Sequence, residues 1–363
     1  MRWTHSVLLA AGLALMGASS AQAGFTYTIL DFPGSIYTDA TDINHSGTVV
    51  GAYQDASGFY HGYTYDSGTG TYTSLDYPGA VNTYGDHINA SGQVSSTWDD
   101  GLVSQGYRYD GSYNQVNASS LGAVATGSPD DYLSINDAGN VAGTYFDGVG
   151  DRHGFYYDAG TNSYLNIDPA GSTDTSVSGL DALGNVAGTY EDGLGVHGFV
   201  YDAATATYTT LDVPGAVITV VNDIDNAGDV AGYYFDSFGI HGFAYDGTFT
   251  DIIPPNFFDE SVVTGIDSMQ GMVGIYPGFF GDRGFYFDGV KYYKFSAPGA
   301  FETDPNAIND VGLIVGNLDD GFTDHGFIAE HTSTVPEPSS VSLFGAAILA
   351  LFGFGWVRKR RAA

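Results

Sequence analysis

The chain has 363 residues, with 42 Asp and Glu against 10 Lys and Arg and a formal net charge of −32. So few basic residues cannot neutralise a phosphate backbone, which argues against nucleic-acid binding. The absence of cysteine excludes disulfides, thiol catalysis and Cys-ligated zinc. A hydrophobic fraction of 43% is enough for a folded core, and the length fits two ordinary domains or one large all-β body.

The N-terminus predicts a secretory signal peptide. Arg2 supplies the positive charge, Val7 to Met16 form the apolar segment, and Ala21-Gln22-Ala23 fits a small-residue cleavage site. The apolar segment is too short to span a bilayer. We therefore expect residues 1–23 to be removed on export.

A tripeptide with a central glycine and a final aromatic residue recurs along the chain at intervals of 42 to 48 residues. Internal periods in this range are typical of propellers or solenoids. The seven copies of this anchor are His61-Gly62-Tyr63, Gln105-Gly106-Tyr107, His153-Gly154-Phe155, His197-Gly198-Phe199, His241-Gly242-Phe243, Arg283-Gly284-Phe285 and His325-Gly326-Phe327.

Each repeat predicts four short β-strands, because its segments are aromatic and β-branched and are bounded by Gly, Asn, Asp and Pro. In the fifth repeat we expect strands at about 219–225, 229–235, 241–246 and 207–212, with a turn at 226–228. Four strands in about 44 residues is the size of one propeller blade. The sequence therefore predicts an all-β, seven-bladed β-propeller over residues 24–331.

The two ends of the repeat region predict a closed ring. Phe25 to Gly34 is the phrase that elsewhere follows an anchor, whereas the last anchor, His325 to Phe327, is not followed by it. The N-terminal strand is therefore expected to complete the last blade and to cover two sheet edges. An open repeat array is the alternative.

Two phrases of the repeats match a known pattern. Ser134-Ile135-Asn136-Asp137-Ala138-Gly139 and Ala307-Ile308-Asn309-Asp310-Val311-Gly312 resemble the Gly-Ile-Asn-Asp-x-Gly phrase of HAF repeats, a family of extracellular bacterial repeats. The resemblance covers residues 25–331. The family's His-Ala-Phe-Tyr-Asp phrase departs here, with glycine in place of alanine. The resemblance implies a surface protein and no particular reaction.

The C-terminus predicts a sorting signal. A linker at 332–340 contains Pro336, Glu337 and Pro338, and the apolar run 341–357 is followed by the basic cluster 358–361. The run is at the lower limit for a membrane span, and the basic cluster would stay cytoplasmic.

This pattern resembles the PEP-CTERM sorting signal of Gram-negative bacteria. The resemblance implies a transmembrane sorting helix over 341–363 and cleavage near the triplet by the membrane peptidase exosortase. It further implies export to the surface or matrix of bacteria that make exopolysaccharide. A simple C-terminal anchor is the alternative.

Removal of both ends makes the protein still more acidic. It leaves 5 basic and 41 acidic residues, a charge of about −36. A body this acidic repels itself and attracts divalent cations. The remaining basic residues are Arg108, Arg152, Arg283, Lys291 and Lys294.

Histidine opens five of the anchors, at His61, His153, His197, His241 and His325. Histidines can serve as metal ligands or acid–base groups. In a propeller, however, equivalent residues are spread around the ring, and Gln105 and Arg283 replace two of them. We therefore expect a structural role, with each ring bonded to neighbouring backbone.

Oxygen-bearing residues alternate at Asp223, Asp225 and Asp229, as in a calcium-binding loop. The motif lacks the terminal bidentate glutamate of an EF-hand. Asp also stabilises such turns through bonds to the backbone, without an ion. An ordinary turn is the expected structure, and Ca²⁺ is the one cofactor that the sequence leaves open.

Carboxylates gather in the loops before the anchors and in the connections between repeats. Strand geometry places both kinds of loop on one rim, and recurrence around a ring favours solvated charge over a catalytic pair. These residues are Asp55, Asp99, Asp100, Asp147, Asp151, Glu191, Asp192, Asp236, Asp319 and Asp320, with Asp39, Asp130, Asp131, Asp174, Glu260, Glu302 and Asp304.

Irregular positions are candidates for ligand contact, because aromatic rings beside carboxylates can bind sugars. These candidates are Trp98, Phe257, Phe258, Asp259 and Glu260. Loop variation without function is the alternative. The sequence predicts an exported, non-enzymatic cell-surface or exopolysaccharide-matrix protein, and a polysaccharide lyase or hydrolase acting at the central mouth is the alternative.

Overall fold

The structure, a computed structural model, describes residues 20–22, 24–127, 132–255 and 258–332. In these residues the regular elements are β-strands and one 3-10 turn, Ser119–Leu121. The prediction of an all-β protein is confirmed.

The strands of the described residues fall into seven consecutive antiparallel sets, numbered here in chain order. The first three sets have a first strand in two short pieces. Set 1 contains Tyr37–Thr38, Asp42–Ile43, Thr48–Gln54, Tyr60–Asp66 and Thr71–Leu75. Set 2 contains Asn82–Thr83, His87–Ile88, Val94–Asp99, Ser104–Tyr109 and Tyr113–Val116. Set 3 contains Ala125–Thr126, Ser134–Ile135, Val141–Phe146, Arg152–Asp158 and Ser163–Ile167.

The next three sets have a continuous first strand. Set 4 contains Asp174–Leu180, Val186–Glu191, Val196–Asp202 and Thr207–Leu211. Set 5 contains Ile218–Ile224, Val230–Phe235, Ile240–Tyr245 and Phe249–Ile252, and one parallel pair, Val196 with Ile218, joins it to set 4. Set 6 contains Val262–Ile266, Met272–Gly278, Gly281–Phe287 and Tyr292–Phe295.

Set 7 combines strands from both ends of the described residues. Glu302–Ile308, Leu313–Asp319 and Asp324–His331 are followed in the sheet by Phe25–Leu30 and then by Ser20–Gln22. Phe25–Leu30 therefore pairs with Asp324–His331, the last strand of the described residues, as the repeat phase predicts. Residues 1–19 and Ala23 of the predicted signal peptide lie outside the described residues.

One strand predicted for the fifth repeat lies in a different strand set. Thr207–Leu211 pairs with Val196–Asp202 of set 4, and the fourth strand of set 5 is Phe249–Ile252. The sequence repeat therefore straddles two strand sets, because the outermost strand follows its own anchor along the chain. The other three strands of set 5 match the prediction to within a residue at each end.

The first strands of sets 4 to 7 contain a bulge. In set 5 the register shifts between Val221 and Asp223 as this strand passes Val230–Phe235. Gly232 lies opposite the bulge, where a Cβ atom would come within 2.1 Å of the carbonyl oxygen of Val220. Glycine at this position therefore permits the close approach of two strands.

The core lies between neighbouring sets. The aromatic residue of every anchor is fully buried, and these residues are Tyr63, Tyr107, Phe155, Phe199, Phe243, Phe285 and Phe327. Phe199 of set 4, for example, belongs to the same cluster as Ala142 and Ile167 of set 3. Burial of one such side chain contributes about 1.5–3 kcal/mol.

Set 7 also packs against set 1. The Nδ2 of Asn306 donates to the carbonyl of Ala40 at 2.9 Å, and the N–H of Ala40 donates to Oδ1 of Asn317 at 3.0 Å. One hydrophobic cluster joins Tyr63 of set 1 to Val315 of set 7.

The sorting motif Pro336, Glu337 and Pro338 and the predicted helix over 341–363 lie outside the described residues. In the part of the chain that the structure describes, no helix has the length and apolar character needed to cross a membrane.

Candidate functional site: the central cavity and the loops around it

A cavity of about 840 Å³ lies where the first strands converge. All seven sets contribute to its wall, through the end of the first strand and the turn that follows. Representative lining residues are Asp42, His87, Asn136, Asp223 and Asn309. The sets are therefore arranged around a common centre.

Asparagine side chains link the turns around this cavity. The Nδ2 of Asn44 donates to the carbonyl of Asn89 at 3.2 Å, and that of Asn89 to Asn136 at 2.9 Å. Asn136 continues the series to Asp181 at 3.1 Å, and Asn309 donates to Asn44 at 2.8 Å. We call these equivalent positions the turn ring. Each link in it crosses from one set to the next.

Aspartate replaces asparagine in the turn ring at Asp181, Asp225 and Asp267. Oδ1 of Asp225 accepts the N–H groups of Ala227 and Asp229, as the corresponding oxygen of Asn44 does within its own turn. Oδ2 of Asp225 is buried without a hydrogen-bond partner. Burial raises the pKa of this carboxyl.

A second layer of links lies two residues before the turn ring. Oδ2 of Asp42 accepts the N–H of Ile88 at 2.9 Å, and Oδ2 of Asp223 accepts the N–H of Ile266 at 3.0 Å. Both carboxylates therefore hold the backbone of the next set. Burial raises the pKa of Asp223 to about 7.

His87, one of two histidines in the cavity lining, lies beside these carboxylates. Nδ1 of His87 lies 3.5 Å from Oδ2 of Asp42, and its ring meets that of Tyr132 edge-on at 6.2 Å. Burial lowers the pKa of His87, but the hydrogen bond and charge of Asp42, together with the charges of Asp86 and Asp223, outweigh it, so the net shift is upward. Next to His87, burial raises the pKa of Asp86 to about 7, and Oδ2 of Asp86 accepts the N–H of Leu133.

The anchor histidines lie apart from the cavity wall, each between two loops of its own set. Their Nε2 atoms lie 3.3–3.8 Å from carboxylate oxygens in the loop between the second and third strands, and we call the aspartates of these loops the hairpin carboxylates. The partners are Asp55 (His61), Asp147 (His153), Asp192 (His197), Asp236 (His241) and Asp320 (His325). The histidine Nδ1 atoms bond to Asp76 (His61), Asp168 (His153), Asp212 (His197) and Asp31 (His325) at 2.6–2.8 Å, and to the carbonyl of Asp259 (His241) at 3.0 Å. Most partners are thus carboxylates rather than the expected backbone, and the geometry suits bracing of the loops.

The hairpin carboxylates are held in their own turns. Oδ1 of Asp192, for example, accepts the N–H of Leu194 at 2.6 Å, and such main-chain donors lower the carboxyl pKa. The same downward shift applies at Asp55, Asp100, Asp147 and Asp320. Asp39 and Asp304 differ from the expected solvated charge, because burial raises each pKa to about 6.

The predicted calcium ligands do not meet in the structure. Asp223 contacts set 6, Oδ1 of Asp225 caps its turn, and Oδ2 of Asp229 accepts Nε2 of Gln270 at 2.6 Å. Among the described residues, no group of three or more His, Asp or Glu is placed to hold a metal ion. Calcium binding stays a prediction.

The predicted ligand-contact residues lie in two separate places. Trp98 of set 2 stacks on Tyr77 with ring centroids 4.3 Å apart. Phe258, in the connection to set 6, lies 6.4 Å from Phe279 and is followed by Asp259 with a φ of 54° and by Glu260. Phe257 lies outside the described residues.

A cleft at set 6 was predicted from the sequence at Phe258 alone. It has a volume of about 480 Å³ and is lined by Phe258, Tyr276, Phe279, Phe280, Arg283 and Lys294, among others. Two signals in the sequence mark it: the hairpin Gly278-Phe279-Phe280-Gly281 lacks the usual aspartate, and Arg283 stands in the histidine position.

Comparison with known proteins identifies the C-terminal motif and supports the fold. Residues 334–361 match the model of the PEP-CTERM protein-sorting motif. No curated protein matches the sequence. The structure is similar to a streptogramin B lyase (TM-score 0.55, 11% identity, covering 86% of this chain and 100% of that one). It is also similar to the β-propeller domain of the Trilobed protease from Pyrococcus furiosus (TM-score 0.55, 11% identity, covering 83% and 100%).

A third similar structure is virginiamycin B lyase from Staphylococcus aureus in complex with quinupristin (TM-score 0.55, 12% identity, covering 85% of this chain and 100% of that one). At these identities the likeness shows the fold alone, which is propeller-like. The sorting motif shows a chain that is exported and carries the signal for exosortase processing at the membrane of a Gram-negative bacterium.

Proposed function

We propose that this protein is a closed, seven-bladed propeller that acts at the cell surface or in the exopolysaccharide matrix by binding glycan without catalysis. Each strand set is one blade, and the sequence repeats of the protein are HAF-like. Residues 1–23 are the signal peptide, 24–331 the propeller, 332–340 the linker and 341–363 the sorting helix.

Contacts between the chain ends support closure. Phe25–Leu30 completes the sheet of set 7, and set 7 contacts set 1 through Asn306 and Asn309. An open array would leave set 1 and set 7 without such contacts. The cavity walled by all seven sets supports the same conclusion.

The observation that carries the non-enzymatic proposal is the occupation of three carboxylates of the cavity wall. Asp42, Asp86 and Asp223 each accept an N–H group from the backbone of the following set. Hydrolysis of a glycosidic bond needs two carboxyl groups that are available to the substrate from opposite sides. Because these three carboxylates bind the backbone of the following blade, their role in this proposal is structural.

A glycan-array screen of the mature protein, with and without calcium, tests this proposal. We expect retention of one or more polysaccharides and no release of product when the same polysaccharides are incubated with the protein. Failure to bind any glycan would contradict the binding proposal, and accumulation of cleaved chains would contradict the non-enzymatic one.

A calcium titration followed by thermal melting tests the turns at Asp223, Asp225 and Asp229. We expect calcium to raise the melting temperature of the protein if these turns bind it, since a ligand of the folded state stabilises that state. An unchanged melting temperature would remove the calcium prediction.

His87 supports a second candidate function, a polysaccharide lyase or hydrolase. Other sets carry Asp, Ser, Gly or Ala at its position, so its pairing with Asp42 beside Tyr132 occurs once in the cavity wall. A His paired with a carboxylate can act as a general base. Loss of polysaccharide cleavage in His87→Ala, with folding intact, would establish this function over the first.

A further inference from the structure

The cleft at set 6 gathers cations in a protein that has very few. Arg283 and Lys294 both line it, and they are two of the five basic residues left after removal of both ends. The Nη1 of Arg283 donates to the carbonyls of Asp282 and Phe301, and the Nζ of Lys294 donates to the carbonyl of Pro255. Both cations are thus held in place by main-chain oxygens.

These two cations have no carboxylate partner within ion-pair distance in the described part of the chain. The arginine ion pairs there join Arg108 to Asp110 and Arg152 to Asp174. In a body with 41 carboxyl groups against 5 cations, pairing would be the expected outcome. Two neighbouring cations without a carboxylate partner favour an anionic ligand in the cleft.

Aromatic rings form the rest of the wall. Phe279 and Phe280 are 78% and 74% exposed at the hairpin tip, and Phe258 faces Phe279. The Nζ of Lys294 lies 4.8 Å from the centroid of the Tyr276 ring. Exposed aromatic faces beside polar groups suit the apolar face of a sugar ring. A cleft that favours an anion and also offers aromatic rings for stacking suits an acidic sugar.

The surroundings of the cleft limit how much negative charge the ligand can carry. Glu260 lies in the connection before set 6, Asp282 in the strand Gly281–Phe287, and Glu302 and Asp304 in the first strand of set 7. A polyanion would meet these carboxylates and be repelled, whereas a ligand with a single carboxylate would be repelled less and would still meet the charges of Arg283 and Lys294.

We propose that this cleft binds a single acidic sugar, a uronate within an otherwise neutral glycan. The inference rests on the proposed glycan-binding function and names the ligand class for one site. Arg283 and Lys294 take the carboxylate, and Tyr276, Phe279 and Phe280 contact the ring.

Isothermal titration with an oligosaccharide that carries one glucuronate tests the proposal. The comparison ligands are the same oligosaccharide after reduction of its carboxyl to an alcohol, and polygalacturonate. We expect at least tenfold weaker binding for the reduced ligand and weaker binding per uronate for the polyanion. Equal binding of the acidic and reduced oligosaccharides would overturn the proposal.

Matched variants locate the site. Lys294→Gln and Arg283→Gln should each weaken binding of the acidic oligosaccharide at least tenfold and leave binding of the reduced one unchanged. Lys291→Gln is the control, because Lys291 belongs to the same set and lies over the Tyr293 ring, outside the cleft. Phe322→Ala is the control for Phe279→Ala, since Phe322 is the exposed hairpin tip of set 7. Equal losses in variant and control would overturn the proposal.

The outcomes separate this inference from the proposed function. Array binding that is unaffected by Lys294→Gln and Phe279→Ala would retain the function and overturn the cleft. Cleavage of the bound polysaccharides, together with uronate binding that is lost in Lys294→Gln, would retain the cleft and overturn the non-enzymatic function. Melting temperatures of all variants report folding.

Discussion

At the scale of single residues, each link of the turn ring depends on one side-chain atom, the amide nitrogen by which asparagine differs from aspartate. An asparagine presents an oxygen to its own turn and an N–H donor to the next set, whereas an ionised aspartate presents two acceptors. Asp225 meets its turn with Oδ1 and leaves Oδ2 buried without a partner. A buried acceptor without a donor costs about 1–3 kcal/mol.

Asp225→Asn should therefore stabilise the protein by about 1–2 kcal/mol at pH 7. Because burial raises the folded-state pKa of Asp225, its contribution is most favourable below about pH 4 and declines as the pH rises through the folded value. The gain from the amide should consequently fade toward pH 4. Urea denaturation at pH 4 and pH 7 measures both effects, and an equal gain at the two values would contradict the explanation.

Residue types at the turns were predictable, but their partners were not. The alternating Asp and Asn residues indicate turns with bonds to the local backbone, which Asp225 and Asn44 make. The donation from Asn44 to Asn89 connects residues 45 positions apart. A period-two strand pattern reports which face a side chain occupies, and carries no information about the register between separate sheets.

At the scale of elements, the bulged first strand explains a glycine in the second. Gly232 has no room for a Cβ beside the Val220 carbonyl. In set 2, Ser96 takes the equivalent position, and there the first strand is divided into Asn82–Thr83 and His87–Ile88. A divided first strand does not by itself make this room, because set 1 is divided as well and a Cβ on Gly51 would come within 2.2 Å of the carbonyl oxygen of Asp39.

Gly232→Ala should destabilise the protein by about 1–3 kcal/mol, since backbone must shift to admit the methyl group. Ser96→Gly is the matched change in set 2 and should cost no more than about 1 kcal/mol, the usual entropic penalty of glycine. Chemical denaturation of both variants checks the contrast. Equal losses of unfolding free energy in the two variants would show that the bulge does not determine the need for glycine at position 232.

The elements themselves follow closely from the repeats. Anchor aromatics such as Phe199 are predicted as recurring landmarks and are buried at equivalent places in the structure. Apart from Phe258, the lining of the cleft at set 6 escaped prediction, because Phe258 and Phe279 are 21 positions apart and meet only through the folding of two loops. Departures from a repeat, such as Arg283 for histidine, are the available signal.

At the scale of the whole molecule, one ion pair lies between segments that are almost three hundred positions apart in the chain. His325 of set 7 bonds to Asp31, which directly follows the N-terminal strand, at 2.6 Å. The hydrogen bond to Asp31 raises the pKa of His325. A histidine with a raised folded-state pKa contributes stability that is complete below about pH 6.5 and is lost as the pH rises through the folded value.

His325→Gln should therefore cost about 0.5–1 kcal/mol at pH 6 and progressively less toward pH 9, the modest size reflecting the exposed position of the pair. Thermal melting across this range measures the difference. His61→Gln is the control, because His61 pairs with Asp76 of its own set and does not connect the chain ends. A cost for His325→Gln that is independent of pH would argue against the ion pair.

Deletion of residues 24–31 should abolish cooperative unfolding. It removes Phe25, Tyr27 and Leu30 from two hydrophobic clusters and leaves Asp324–His331 as an unpaired edge. Deletion of residues 1–23 should leave the melting temperature unchanged, since it removes the predicted signal peptide and one short edge strand. A truncated protein that melts like the intact one would contradict the closed ring.

The pairing of Asp324–His331 also has a mechanical consequence. This strand lies in the interior of its sheet, with Leu313–Asp319 on one side and Phe25–Leu30 on the other. Tension applied at the carboxyl end would load two hydrogen-bond ladders in shear instead of peeling a strand from an edge. We therefore expect the sheet to resist mechanical unfolding when force is applied through the C-terminus.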